Sequence, residues 1–236
     1  MPNLLSVSAD AKTRKGEKQG YLTGVMYLAP HNVAGLGNLC PNASPDCIEL
    51  CLNTAGRGVF NSVQQGRIRR TREFFADRKA FVATLRAEIA ALVRKAARDG
   101  MTPVVRLNGT SDIGWEAFDI MPTFPDVQFY DYTKSPVRMR RYLDGRMPAN
   151  YHLTFSRSEC NETQALDVLA RGGNVAVVFD TKRGAALPET WHSYRVVDGD
   201  VSDARFADPR GVVVGLRAKG RARRKIGGFV VRGVAS

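Results

Sequence analysis

Apolar and polar positions alternate along most of the chain with the periods of helices and short strands. The clearest helix is predicted over residues 79–98, where apolar side chains recur at spacings of three and four on one face. The members of this stripe are Phe81, Leu85, Ile89, Leu92 and Ala96. Gly100 follows and predicts the end of the helix. Further helices are predicted over residues 61–75, 136–143 and 162–170.

Short apolar runs between these helices predict strands. They cover residues 24–29, 103–107, 127–130, 151–155, 175–179, 194–197 and 212–216. The run 175–179 is apolar throughout, which is typical of a parallel strand buried on both faces. We therefore predict one α/β domain over residues 1–236, built as a partial or compact β/α (TIM-like) barrel, with an open doubly wound sheet as the alternative. Residues 1–20 are predicted to form a basic, loosely packed segment.

Polar residues follow the predicted strands directly. Because ligands of parallel sheets bind at the carboxyl edge, we expect these side chains to converge on one site. The predicted substrate-binding residues are Asn108, Lys134, Ser156, Arg157, Asp180 and Lys182. Glu159 and Asp131 are the predicted catalytic groups, since carboxylates can move protons.

Three of the four cysteines lie within twelve positions, in a loop predicted to follow the first strand. Cys40, Cys47 and Cys51 have the spacing C-x₆-C-x₃-C, amid Pro, Asn and Asp. That setting does not suit small buried apolar residues, and in a reducing compartment clustered thiols indicate metal or redox chemistry more than disulfides.

Two kinds of metal site fit such a cluster. A structural zinc ion needs four ligands, so Cys160, His31, His152 or His192 would have to complete the set. A 4Fe–4S cluster is held by thiolates, and three of them leave one iron open to a substrate. The iron–sulfur cluster is the preferred prediction, with Cys160 as a bystander.

The net charge of +12 favours anionic partners. Basic residues concentrate at 12–18, 67–72 and 217–225, so a second hypothesis is a nucleic-acid-binding protein with a structural zinc site. No run of apolar residues is long enough to span a membrane, and the first residues lack the pattern of a secretory signal. We therefore expect a cytoplasmic protein without a membrane partner.

Four segments carry a family resemblance. They are LCPNASPDCIELCLNTAGRG at 39–58, RLNGTSD at 106–112, FYDYTK at 129–134 and LTFSRSE at 153–159. Together they resemble an uncharacterised gene-product family of bacteriophages and prophages, over roughly residues 20–220. The resemblance implies a viral or prophage origin and the cytoplasm of an infected host as the setting.

A looser resemblance is to radical S-adenosylmethionine enzymes. They also carry three cysteines after the first strand of a partial barrel, although their spacing is C-x₃-C-x₂-C and a Gly-Gly-Glu-like segment stands where this chain has Asn108-Gly109-Thr110. This resemblance implies S-adenosylmethionine as a possible second cofactor. The predicted function is an iron–sulfur enzyme acting on a small anionic or sulfur-containing substrate, by Lewis-acid chemistry like that of a desulfidase or lyase, or by radical chemistry.

Overall fold

A computed structural model describes residues 3–7, 11–224 and 228–232. It confirms the mixed α/β class, with a ten-stranded sheet. The strands are β1 (Leu5–Val7), β2 (Tyr21–Met26), β3 (Thr102–Arg106), β4 (Gln128–Thr133), β5 (Tyr151–Ser156), β6 (Val175–Phe179), β7 (Thr190–Trp191), β8 (Tyr194–Asp198), β9 (Val213–Arg217) and β10 (Val230–Val231). The α-helices are α1 (Ala11–Glu17), α2 (Pro45–Glu49), α3 (Asn61–Ala76), α4 (Arg78–Arg98), α5 (Ile120–Thr123), α6 (Pro136–Leu143) and α7 (Glu162–Ala170).

The sheet runs mostly in chain order. Its strands follow the order β1-β2-β3-β4-β5-β6-β9-β8-β7, and β10 pairs with β6. From β2 to β8 along this order all neighbours are parallel, whereas β1 and β7 are antiparallel edge strands. Among the described residues the pairings form an open path, and the predicted closure into a barrel is not among them.

The main core lies between this sheet and helices α4, α6 and α7. Leu85 and Ile89 of α4 are fully buried in one apolar cluster with Val105, Phe129 and other strand residues. Val105 pairs with Phe129 in the parallel register, so these side chains share a face of the sheet. The helical stripe predicted from the sequence therefore packs on this face.

The opposite face of the sheet is covered in part by the segment after β8. Asp203 accepts hydrogen bonds from Arg106 (3.0 Å) and from the Tyr130 hydroxyl (2.7 Å). Phe206 makes edge contacts with Tyr21 and Tyr130. These contacts bury side chains on the face of the sheet opposite to Val105 and Phe129.

Two parts of the chain differ from the predicted elements. The first predicted strand, 24–29, begins earlier and is β2. Residues 1–20, predicted to be loosely packed, contribute β1, and Leu4 and Leu5 are buried while their amides donate to Glu88 of α4 at 2.8 Å. The cysteine loop therefore follows the first parallel strand but the second strand of the chain.

The carboxyl-terminal basic stretch folds back over the sheet. A 3-10 turn at Gly220–Arg223 precedes β10, which lies parallel to the end of β6. Lys225, the last residue of the predicted basic stretch, lies outside the described residues. Within the described ranges no helix is long and apolar enough to cross a membrane.

Candidate functional site at the cysteine loop

The cysteine loop joins β2 to α3 and is held in place by local caps. Ser44 caps α2, and its hydroxyl accepts from the Cys47 amide at 3.2 Å. Pro45 occupies the first turn of α2, where its missing amide hydrogen costs nothing. Two 3-10 turns, Leu52–Thr54 and Gly56–Val59, then lead into α3.

The three predicted cysteines line one pocket at the carboxyl edge of the sheet. The pocket has a volume of about 100 Å³. Its lining residues are Pro30, His31, Val33, Cys40, Ala43, Cys47, Ile48, Cys51, Asn53 and Thr54. A cavity of about 150 Å³ holds a benzene molecule, so this pocket has the size of a small compact group and is too small for a whole nucleotide.

The thiols interact electrostatically with one another. Burial is the main factor that raises the pKa of Cys40, to about 12, and the neighbouring Cys51 and Cys47 raise it further. The amide of His31 points at the Cys40 sulfur at 3.4 Å, and that thiol donates to the Thr110 carbonyl at 3.7 Å. Burial also raises the pKa of Cys51. In this arrangement Cys40 and Cys51 are neutral thiols at pH 7, so metal binding must displace protons.

The pocket is not a preformed site for a single ion. Within the described ranges, no group of three or more His, Cys, Asp or Glu side chains is arranged to hold one metal ion. The predicted ligands are thus brought into one pocket without being placed around a common centre. Cys160 and His152, considered as fourth ligands, are not among the pocket's lining residues.

Two cations lie beside the thiols. Arg67 of α3 is buried, donates to the Asn53 side chain at 2.5 Å, and stands over the Tyr27 ring at 5.0 Å from its centre. Its positive charge and that of Lys134 both oppose the rise in the Cys51 pKa. The buried Nε of Arg67 has no hydrogen-bond partner among the described residues. The pocket therefore has positive charge directed toward Cys51.

Three predicted site residues support this pocket from the ends of β4 and β5. Lys134 donates to the Ser156 hydroxyl at 2.9 Å. Glu159 accepts from the Ser44 hydroxyl at 2.7 Å and from the Asp46 amide at 3.0 Å, which fixes the start of α2. Partial burial acts to raise the pKa of Glu159, but the hydrogen bonds from Ser44 and the Asp46 amide together outweigh it, so the pKa is lowered.

Asn108 and Asp131 lie under the site rather than in it. Asp131 is fully buried and accepts from the Asn108 amide (2.7 Å), the Asn108 side chain (3.1 Å) and the Tyr151 hydroxyl (2.8 Å). Burial raises the pKa of Asp131 to about 6. The Asn108 side-chain oxygen in turn accepts from Ser111, Ile113 and Trp115. Both residues therefore shape the loop after β3, which carries Thr110 to Cys40.

That loop passes very close to the end of β2. A Cβ atom at Gly109 would lie 2.6 Å from the Met26 carbonyl oxygen, so glycine is needed for this approach. The Thr110 hydroxyl donates to the Leu28 carbonyl at 2.6 Å. These contacts bring the Thr110 carbonyl under Cys40.

A buried ion pair network supports the next turn. Arg138 of α6 donates to Asp112 at 2.7 Å and to both carboxylate oxygens of Glu116 at 2.9 Å. Asp112 also accepts from the Thr133 hydroxyl and from the Lys134 amide, each at 2.8 Å. This network fixes the backbone from which Lys134 extends.

The remaining predicted substrate ligands lie away from the pocket lining. Arg157 pairs with Glu162 at 2.5 Å and donates to the carbonyls of Gly228 and Phe229, so it holds the segment before β10. Asp180 is exposed and forms an ion pair with Arg232 at 3.8 Å. Lys182 is exposed.

Of the four residues considered as a fourth metal ligand, three have contacts elsewhere in the fold. Cys160 is exposed and contacts Ser158 at 3.6 Å. His192 lies 3.2 Å from Glu162. His152 is bonded to the Tyr142 hydroxyl at 3.0 Å, and burial lowers its pKa to about 4. Only His31 reaches the pocket, where its amide contacts Cys40.

Sequence reasoning missed Arg67, Asn53 and Thr110. A usable signal for Arg67 existed: it is on the same face of α3 as the buried Thr71 and Phe74, four and seven positions further on. An arginine at a core-facing position indicates a specific partner, because burying a charge without one is costly.

Fold and site together define an α/β protein with a largely parallel sheet and a three-thiol pocket at its carboxyl edge. The chain belongs to the gene product 88 family, a phage-type family whose model matches residues 3–232. This match confirms the predicted phage gene-product family. Comparison with curated proteins and with solved structures finds no significant match to this chain.

Proposed function

We propose that Cys40, Cys47 and Cys51 bind a 4Fe–4S cluster, one iron of which engages a small substrate. The observation that carries this proposal is the convergence of three thiols on one pocket whose lining includes no fourth cysteine. Thiolates are the ligands of iron–sulfur clusters, and a three-thiolate set leaves one iron available to another ligand.

The absence of a single-ion group among the described residues weighs more against zinc than against a cluster. Zinc–sulfur bonds are about 2.3 Å long, so zinc ligands must crowd around one centre. A cluster places each thiolate on a different iron and therefore tolerates wider spacing. That absence therefore weighs mainly against the zinc alternative.

The charges around the pocket suit an anionic group. Three thiolates gathered in a partly buried site need compensating charge, and Arg67 and Lys134 supply it beside Cys51. The unpartnered Nε of Arg67 and the His31 amide are donors available to sulfur. Such second-shell donors orient and tune metal ligands.

We favour Lewis-acid chemistry of the desulfidase or lyase kind over S-adenosylmethionine chemistry. When bound, the cluster would supply an electrophilic iron for a substrate heteroatom. Asn108, at the place of the Gly-Gly-Glu-like segment, is committed to Asp131 and the loop after β3. Lys134 would orient an anionic group of the substrate, and Glu159, whose hydrogen bonds lower its pKa, would stay ionised and hold the start of α2 beside it. The largely sequential parallel order supports a curled, barrel-like sheet around this site.

Anaerobic purification with iron and sulfide analysis tests the proposal. We expect a brown protein with broad absorption near ~400 nm and about four irons and four sulfides per chain. Cys47→Ala should lose this absorption, whereas the matched control Cys160→Ala should keep it. A colourless protein with about one zinc per chain would refute the cluster. Equal loss in both variants would refute the three-cysteine ligand set.

A further inference from the structure

The surface beside the cysteine pocket joins two basic segments that are far apart in the sequence. The 3-10 turn Gly220–Arg223 packs against the turn Leu52–Thr54 of the cysteine loop. A Cβ atom at Gly220 would lie 3.1 Å from the Ala55 Cβ. We call the exposed residues that flank this contact, Arg57, Phe60, Arg221 and Arg224, the pocket rim.

The arginines of the pocket rim are available for an anion. No acidic side chain in the described part of the chain pairs with Arg57, Arg221 or Arg224. The nearby Arg217, by contrast, forms an ion pair with Asp198 at 2.9 Å, and Lys219 pairs with Asp200 at 2.9 Å. The fold therefore neutralises Arg217 and Lys219 at the start of the basic stretch and leaves Arg221 and Arg224 further along it without an acidic partner among the described residues.

Apolar side chains are exposed on the same loop. Among the described residues, six of the nine exposed large hydrophobic side chains lie between residues 33 and 60. Phe60 is 57% exposed and Leu52 is 56% exposed. Several exposed apolar side chains on one loop favour a binding surface there. An exposed aromatic ring three positions from an unpaired arginine is suited to stacking on a base while the arginine binds a phosphate.

We propose that the pocket rim binds single-stranded nucleic acid. The net charge of +12 and the unpaired arginines favour a polyanion, and exposed Phe60 favours one that carries unstacked bases. The pocket of about 100 Å³ is too small for a nucleotide, so a bound strand would lie on the rim and not inside the pocket. The binding of nucleic acid is independent of the proposed function. That the bound nucleic acid is also the substrate rests on the proposed function.

Fluorescence anisotropy with a labelled single strand of about 16 nucleotides tests the binding. The triple variant Arg57→Gln, Arg221→Gln, Arg224→Gln removes the rim charge. Each lost phosphate contact lowers the slope of log affinity against log salt by about 0.7, so we expect a slope lower by about 2 and roughly 100-fold weaker binding at about 0.1 M salt. Phe60→Ala should weaken binding about tenfold.

A matched triple variant removes the same charge elsewhere. Arg94, Arg98 and Arg140 are exposed, and Arg98 and Arg140 lie near the ends of helices that lead back to the amino ends of strands. Their replacement by glutamine should change affinity less than threefold. Equal losses in the two triple variants would overturn the assignment of the rim. If heparin bound with the same affinity as the oligonucleotide, and Phe60→Ala changed neither affinity, the assignment of single-stranded nucleic acid as the ligand would be wrong.

Separate variants test the nucleic-acid binding and the iron–sulfur cluster. Cys47→Ala should lose the absorption near ~400 nm yet keep oligonucleotide binding, whereas the rim triple variant should keep the absorption and lose the binding. A colourless wild-type protein that still binds through the rim would refute only the proposed function. A brown protein whose affinity for single strands is unchanged by the rim variant would refute only this inference.

Discussion

The substitution Asp131→Asn is expected to change how the stability of the protein depends on pH. Asp131 is fully buried on the helix-covered face of β4. Burial raises its pKa from an ordinary 3.8 to about 6, even though the Asn108 amide, the Tyr151 hydroxyl and the charges of Arg138 and Arg106 favour the ionised form. The folded protein therefore binds this proton more tightly than the unfolded chain does.

The sign of the effect follows from linkage. Between pH 3.8 and about 6 the folded state holds more protons at this site, so raising the pH lowers the free energy of unfolding. The difference between the two pKa values corresponds to roughly 3 kcal/mol, of which about 2 kcal/mol is lost between pH 4.5 and pH 7. Asparagine does not titrate, so Asp131→Asn should remove this part of the pH dependence of the free energy of unfolding.

Urea denaturation at several pH values measures the effect. The free energy of unfolding of Asp131→Asn minus that of the wild type should rise by about 2 kcal/mol from pH 4.5 to pH 7. Asp126, exposed in the turn before the same strand, provides the control, and Asp126→Asn should leave the wild-type pH dependence unchanged. A flat difference for Asp131→Asn, or one of opposite sign, would show that the buried carboxyl is not destabilised by its surroundings.

Two further substitutions test the supports of the site. Arg67→Met should lower the free energy of unfolding by about 2 kcal/mol, because it removes a buried charged hydrogen bond. It should also reduce the iron content after reconstitution. The control Arg69→Met, at an exposed position, should change the free energy of unfolding by less than about 0.5 kcal/mol. Arg138→Met should cost about 3–5 kcal/mol in urea denaturation, because two buried carboxylates lose their cation, whereas exposed Arg140→Met should be nearly neutral. Losses of equal size in each arginine and its control would contradict these roles.

Local pattern was sufficient for much of the fold. Continuous apolar runs marked the buried parallel strands, as at Val175–Phe179, because burial on both faces leaves no polar positions. Spacings of three and four marked α4, whose stripe is buried. The short strands β1 and β10 were missed, since they consist of two or three residues that become strands only by pairing with distant segments.

The candidate site shows a different limit. The sequence prediction brings all polar residues at strand ends together at the carboxyl edge, but side chains alternate between the two faces of the sheet along a strand. Asp131 shares its face with the buried Phe129 and so points toward the helices. Applied in advance, this rule would have removed Asp131 from the site. The core-facing position of Arg67 on α3 indicates a buried partner, but only the three-dimensional structure shows that this partner is Asn53.

The construction of the cysteine loop argues that the pocket exists for a ligand. A loop built only to cover the sheet would turn apolar side chains inward, yet three thiols line the pocket while Leu52 and Phe60 are exposed. Glu159, Asn53 and Thr110 each anchor the loop by a hydrogen bond and fix it around those sulfurs. Burial raises the pKa of Cys40 and Cys51, so the pocket disfavours thiolates until a cation binds. A metal centre bound here must displace the protons of Cys40 and Cys51, so its binding should strengthen as the pH rises.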